Sequence, residues 1–175
     1  MGINPLMSML SFIGEPQQAE VLGGCEVRVL YSVKDPGACG VSSGGDDSAV
    51  DGDAGVRESK GILFLDRIVE LFEEGRVKGG LELFLTGGGL PTRGWAEAAG
   101  GAETGVVRCS SGVDVPFLRR RMTVRDVERA VGKEAEAALV YICGVPGMTD
   151  QFVEALTTPG GLGMDKRRVL FEKWW

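Results

Sequence analysis

Cys143 stands where the apolar run Ala138-Leu139-Val140-Tyr141-Ile142 meets Gly144 and the turn Val145-Pro146-Gly147. A thiol can act as a nucleophile once ionised, or serve as a polarisable surface for a ligand. It can equally be a core side chain, and the local pattern leaves both readings open. The chain holds 0 histidines, which excludes Ser-His and Cys-His nucleophilic pairs and His-ligated zinc. Chemistry must therefore come from carboxylates, thiols or a bound cofactor. The other cysteines, Cys25, Cys39 and Cys109, show no Cys-x-x-Cys spacing, and all four read as reduced thiols of an intracellular protein.

The elements that must position Cys143 follow from the apolar pattern. Val140–Cys143 reads as a buried parallel strand over 138–143, central to the sheet, with the thiol at its carboxyl end, where open α/β sheets bind ligands. Thr149 is the expected cap of the next helix, with Phe152, Val153 and Leu156 inward. At the amino end, Pro5 suits the first helical position, and Leu6, Met9, Leu10 and Ile13 form one face. Gly2 and Asn4 before that helix suit either a plain turn or an anion-binding helix start. Residues 25–33 read as a strand with Ser32 and Lys34 at its carboxyl end, a position that is equally a nucleotide contact or a polar loop start. Residues 59–75 read as a helix capped by Ser59 and ended by Gly75, followed by a strand at 81–86. Thr123 caps a short helix with Val124, Val127 and Val131 on one side, and 168–171 is a last strand. Strands alternating with helices predict an α/β fold with a parallel sheet.

Composition bounds the rest. Of 175 residues 43% are apolar, enough for a core in a single domain spanning 1–175. The 28 glycines cluster, and Gly-rich insertions at 35–58 and 87–105 carry too little apolar surface to order themselves. A net charge of −6 and the lack of a basic stripe argue against nucleic acid, and Arg119-Arg120-Arg121 reads as a solvated loop. No apolar run reaches the ~18 residues of a membrane span, and the amino terminus lacks a secretory signal pattern.

Four segments, in order, resemble the pyridine-nucleotide half of the ferredoxin–NADP reductase and cytochrome b5 reductase superfamily. Gly2-Ile3-Asn4-Pro5 resembles the second half of its diphosphate turn, Gly-Gly-x-Gly-Ile-x-Pro. Leu30-Tyr31-Ser32-Val33-Lys34 with Ile62-Leu63-Phe64-Leu65-Asp66 resembles its second strand and following helix. Cys143-Gly144-Val145-Pro146-Gly147-Met148 resembles its Cys-Gly-Pro-x-x-Met signature. Phe171-Glu172-Lys173-Trp174-Trp175 is similar to the ending of a subgroup known as oxidoreductase NAD-binding domain-containing proteins. The resemblance implies a Rossmann-like NAD(P)-linked domain in which Gly2, Ile3, Asn4 and Pro5 meet the cofactor diphosphate, and Ser32 and Lys34 the adenosine ribose. Cys143 and Gly144 would face the nicotinamide, Cys143 in the catalytic role, with Pro146 and Met148 supporting the turn and Thr86, Trp174 and Trp175 at the cofactor. It further implies NAD(P)H and FAD as cofactors, a flavin domain in cis, an unnamed electron acceptor, and a mitochondrial or cytoplasmic setting. Met1 falls on a motif glycine, so the first strand and the flavin domain are expected upstream of this chain, and the isolated chain is expected to be inactive. The alternatives are a non-catalytic nucleotide-fold module, regulatory or binding, and a flavodoxin-like nucleotide binder.

Overall fold

The computed structural model describes residues 3–22, 24–36, 56–87, 104–133 and 135–174. Gly2, Trp175 and most of both Gly-rich insertions lie outside the described residues. In chain order the elements are α1 (Ile3–Ile13), α2 (Ala19–Leu22), β1 (Val27–Lys34), β2 (Val56–Glu58), α3 (Leu65–Glu73), β3 (Gly79–Thr86), β4 (Thr104–Arg108) and β5 (Asp114–Leu118). α4 (Val124–Val131), β6 (Val140–Gly144), α5 (Pro146–Thr157) and β7 (Val169–Lys173) follow. They gather into two compact units, Cys25–Arg121 and Met1–Gly24 with Met122–Trp175. The content is α/β, with strand pairing mostly parallel and helices flanking the strands.

The unit Cys25–Arg121 is a five-stranded sheet in the order β1-β3-β5-β4-β2. Its pairings are parallel except for the β4–β5 hairpin. β1 and β3 run in register from Val27↔Gly79 to Lys34↔Thr86. Three consecutive residues of β3, Leu83, Phe84 and Leu85, are buried, as in a strand covered on both faces. Val29 and Tyr31 alternate inward on β1, and the Tyr31 hydroxyl donates to the Leu63 carbonyl at 3.1 Å, tying the strand to the segment before α3.

Gly79 opens this ladder at φ +131, and a Cβ there would sit 1.8 Å from the Val27 carbonyl oxygen. A side chain must therefore push β1 and β3 apart as well as adopt a strained φ. Gly79→Ala is expected to cost about 2 kcal/mol, read as a lowered denaturation midpoint with an unchanged m-value. A cost below about 0.5 kcal/mol would show that the ladder does not depend on this close approach.

Three boundaries depart from the sequence reading. Val56–Glu58 and Thr104–Gly105 belong to strands, so both insertions are narrower than their composition suggests. Ser59 does not cap a long helix: its hydroxyl donates to Asp66 at 2.9 Å, Ser59–Gly61 is a single 3-10 turn, and Phe64 at φ 61 separates that turn from α3. Gly75, at φ +67, does follow the end of the helix. The region after Val106 is a hairpin, closed by Cys109 N–H to the Val113 carbonyl at 2.8 Å.

In the second unit β6 and β7 are parallel, from Val140↔Val169 to Gly144↔Lys173, with α5 as the crossover between them. Among the described residues β6 pairs with β7, so it is not the central strand of a larger sheet there. α5 begins at Pro146, and Thr149 lies inside the helix, with its N–H on the Val145 carbonyl at 3.0 Å. The expected Thr149 cap is thus replaced by a proline start, which needs no N–H donor in the first turn. Phe152 and Leu156 are buried as expected. Thr123 does start α4: Asp126 reaches back to its backbone N–H and its hydroxyl, both at 2.8 Å. Among the described residues no helix is long and apolar enough to cross a membrane.

Candidate functional site

Cys143 lies one residue from the end of β6 and directly opposite Glu172 on β7. Register partners share a face, and residues two apart return to it, so Tyr141, Cys143, Glu172 and Trp174 line one side of the ladder. The ladder continues past β7 through the Trp174 N–H, which donates to the Gly144 carbonyl at 2.9 Å. That bond fixes the Trp174 backbone, and its indole Nε1–H donates to Cys143 Sγ at 2.9 Å. Burial pushes the half-buried thiol up, the indole donor opposes this, and the Glu172 carboxylate adds to the rise. A protonated thiol is a poor nucleophile. Its use is as a soft, uncharged surface beside an aromatic ring. Burial also raises the Tyr141 phenol, with Glu172 acting in the same direction.

The turn after Cys143 is packed from below. A Cβ on Gly144 would lie 2.2 Å from Met148 Cε, so the Met148 thioether occupies the space that a side chain would take. Pro146 sets the first residue of α5, and Val145 is exposed. Ile3, Asn4 and Pro5 form the first turn of α1, which packs on β6. Ile3 is buried as the anchor, while Asn4 is exposed beside the free N–H groups of the helix start. One unit thus gathers Ile3, Asn4, Pro5, Cys143, Gly144, Pro146, Met148 and Trp174.

Ser32, Lys34 and Thr86 belong to the other unit, at the carboxyl edge of its sheet. Lys34 pairs with Thr86, and its stem lies over Gly87. The Thr86 hydroxyl donates to the Val33 carbonyl at 3.2 Å, so its proton is already engaged. β5 ends beside them at Leu118, the partner of Phe84. A tight turn, Arg120 N–H to the Leu118 carbonyl at 3.0 Å, then folds Arg120 back so that its guanidinium sits 5.1 Å from the Phe84 ring centroid. Arg119 reaches the fully buried Asp35 at 3.8 Å. The reading of Arg119–Arg121 as a solvated loop is therefore wrong for the first two. The signal that could have found them is the alternation Val115, Phe117 just before, which marks a strand ending at the arginines.

A 60-residue stretch, 34% of this chain, is 37% identical to oxidoreductase NAD-binding domain-containing protein 1 of Pongo abelii. The stretch spans 17% of that protein's length. No family model matches the chain, and no solved structure matches it.

Proposed function

We propose that this chain is an NAD(P)H-binding, Rossmann-like domain of the ferredoxin reductase type, working within a flavin-dependent oxidoreductase. The observation that carries the reading is the Trp174 indole N–H held on Cys143 Sγ at the carboxyl end of a parallel strand. The partial likeness to a protein named as an oxidoreductase with an NAD-binding domain supports it.

The residues fit the nucleotide in chemical kind. A flat nicotinamide ring suits an uncharged thiol flanked by an indole, and a diphosphate suits the free N–H groups at the start of α1. The bound nucleotide supplies a hydride from its nicotinamide. Cys143 and Trp174 would set the ring's position and keep water from one face, with Met148 holding the turn beneath Gly144. Asn4 and Pro5 would receive the diphosphate, together with Gly2, while Ser32 and Lys34 would meet the ribose; Thr86 and Trp175 are further candidates for cofactor contact. The FAD that receives the hydride would be bound mainly by a flavin domain outside these residues, and the electrons would pass to a further acceptor.

Alkylation of Cys143 by iodoacetamide, mapped by mass spectrometry, tests this. NADH or NADPH is expected to slow the reaction at Cys143 but not at exposed Cys25. ADP-ribose, which lacks the nicotinamide, is expected to leave Cys143 unprotected. Because burial raises the thiol, its reaction should climb at higher pH than an ordinary thiol of about 8.5. Equal protection at both cysteines, or none, would remove the nicotinamide-facing role.

A further inference from the structure

The loop after α5 is pinned to that helix before the chain turns into β7. Leu162 N–H donates to the Ala155 carbonyl at 3.1 Å, Gly163 N–H to the Thr158 carbonyl at 3.1 Å, and Met164 N–H to the Leu156 carbonyl at 2.8 Å. These bonds take up carbonyls that a helix end leaves open, and they hold residues 162–164 as a fixed wall. Gly161 permits the close return, since a Cβ there would lie 1.7 Å from the Ala155 carbonyl oxygen. Ala135 and Glu136, in the turn between α4 and β6, line a cavity of about 270 Å³ together with this wall, Asp165 and Arg168. That size lies just under the ~300–1,000 Å³ of drug-sized sites, so the cavity suits a small metabolite and is too small for a dinucleotide. Arg168 immediately precedes β7, whose Val169 pairs with Val140 at the start of β6. The cavity therefore lies at the amino ends of the two strands, with Arg168 ~13 Å along the chain from Glu172, the partner of Cys143.

The charged groups of the cavity differ in what already engages them. Asp165 accepts from the Arg167 backbone N–H at 2.9 Å and pairs with the Arg167 guanidinium at 2.7 Å, so its charge is answered. Glu136 and Arg168 are exposed, and among the described residues neither side chain has an ion-pair or hydrogen-bond partner, nor do they pair with each other. Between them the buried Met164 and the half-buried Leu162 and Ala135 supply the apolar part of the lining. One free anion, one free cation and an apolar recess complement a molecule that carries both charges and a hydrocarbon group.

We infer that this cavity binds a small zwitterion with an apolar side chain, the chemistry of a free α-amino acid. Glu136 takes its ammonium. Arg168 takes its carboxylate, to which the planar guanidinium can donate two parallel hydrogen bonds. The apolar side chain enters against Leu162 and Met164, where the flexible thioether adapts to ligands of different shape. The site is distinct from Cys143 and does not rest on the nucleotide-binding reading above.

The test titrates L-leucine and L-methionine into the 175-residue chain and follows its backbone amide resonances by two-dimensional NMR. Shifts are expected at Leu162, Gly163 and Met164, and none at Cys143 or Trp174. N-acetyl-leucine, which lacks the ammonium, and leucinamide, which lacks the carboxylate, should each bind at least ~10-fold more weakly than leucine, the worth of one charged hydrogen bond. Glu136→Gln and Arg168→Gln should each weaken leucine by a similar factor. Glu136→Gln should leave N-acetyl-leucine unaffected, and Arg168→Gln should leave leucinamide unaffected, because each variant removes a group that its analogue no longer meets. The two analogues carry the test on the unaltered chain if either variant fails to fold. Absence of shifts with both amino acids, shifts at Cys143 in their place, or equal binding of leucine and its two analogues would overturn the assignment. So would leucine affinity that survives both substitutions.

Discussion

Asp66→Ala is expected to destabilise the unit Cys25–Arg121 by about 2 kcal/mol, the loss of charge-assisted hydrogen bonds at a half-buried carboxylate. Asp66 lies in the first turn of α3, yet its carboxylate serves two other pieces of chain, the turn at Ser59 and the hairpin loop at Cys109–Ser110. It accepts from the Ser59 hydroxyl at 2.9 Å, from the Ser110 backbone N–H at 2.9 Å and from the Ser110 hydroxyl at 3.1 Å. The Cys109 thiol is bonded to it as well, and burial first, then Asp66, pushes that thiol up to about 11. Removing the carboxylate strands the buried Ser59 hydroxyl and frees the β4–β5 hairpin loop from α3. The pH dependence has a definite sign. Burial would raise the Asp66 carboxyl, but the bonds from Ser110, Ser59 and Cys109 outweigh it and hold the group below its ordinary value. Its contribution is therefore complete above the unfolded pKa of about 3.9 and is lost as pH falls through the lower folded value. The gap between wild type and Asp66→Asn should be widest at neutral pH and shrink below about pH 4. Urea titrations at pH 7 and pH 3 read both quantities; a gap below about 1 kcal/mol, or one that persists at low pH, would reduce Asp66 to an ordinary surface carboxylate.

This carboxylate also shows what local pattern can and cannot carry. Ile68 and Val69 predict the buried stripe of α3 because that helix has a polar side to contrast with it. α1 lacks such contrast. The expected face was Leu6, Met9, Leu10 and Ile13, but Ile3, Met7 and Leu10 are the buried residues, with Met9 and Phe12 exposed. A helix apolar on most sides leaves the phase of its stripe to the packing partner, which the pattern does not name. Ser59 was misplaced for a related reason. A serine before an apolar run reads as a cap, and nothing local reveals that the oxygen of Asp66, seven residues on, competes for its proton.

The candidate site divides the same way. Cys143-Gly144 and Pro146 were legible because an apolar run ending in a turn is a local event, and β6 and α5 follow it closely. The contact of Trp174 with Cys143 was not legible, since it depends on the parallel register of β6 with β7 across 31 residues; the resemblance places Trp174 only at the cofactor. Arg119 and Arg120 were hidden further still. Three adjacent arginines look solvated until the pairing of β5 with β3 brings them to Phe84 and Asp35. Strand order is a non-local property, so the residues it juxtaposes are the ones that sequence pattern misses.

If the chain works as proposed, within a flavin-dependent oxidoreductase, Cys143→Ser is expected to slow hydride transfer in that whole protein about 100-fold, while nucleotide affinity changes by less than about threefold. The thiol is held from one side by the Trp174 indole N–H and sits on a strand whose position β7 fixes. A serine hydroxyl is smaller, has a shorter bond to Cβ and accepts a stronger hydrogen bond than sulfur, so the indole would draw toward it. A ring seated against these two side chains would then shift, and a displacement of about 1 Å at a reacting centre can cost about 100-fold. On the proposed function affinity should respond less, because the diphosphate and ribose contacts of the nucleotide would lie elsewhere and remain intact. Trp174→Phe separates the two roles of the indole: it keeps an aromatic surface but removes the donor. With the donor gone, the hydrogen bond that opposed burial disappears, so Cys143 alkylation should move to still higher pH. Stopped-flow measurement of nucleotide oxidation, with affinity taken from the concentration dependence of the fast phase, separates rate from binding. An unchanged rate in Cys143→Ser returns the thiol to the status of a core side chain. A loss carried wholly by affinity would make it a binding group with no part in placing the ring.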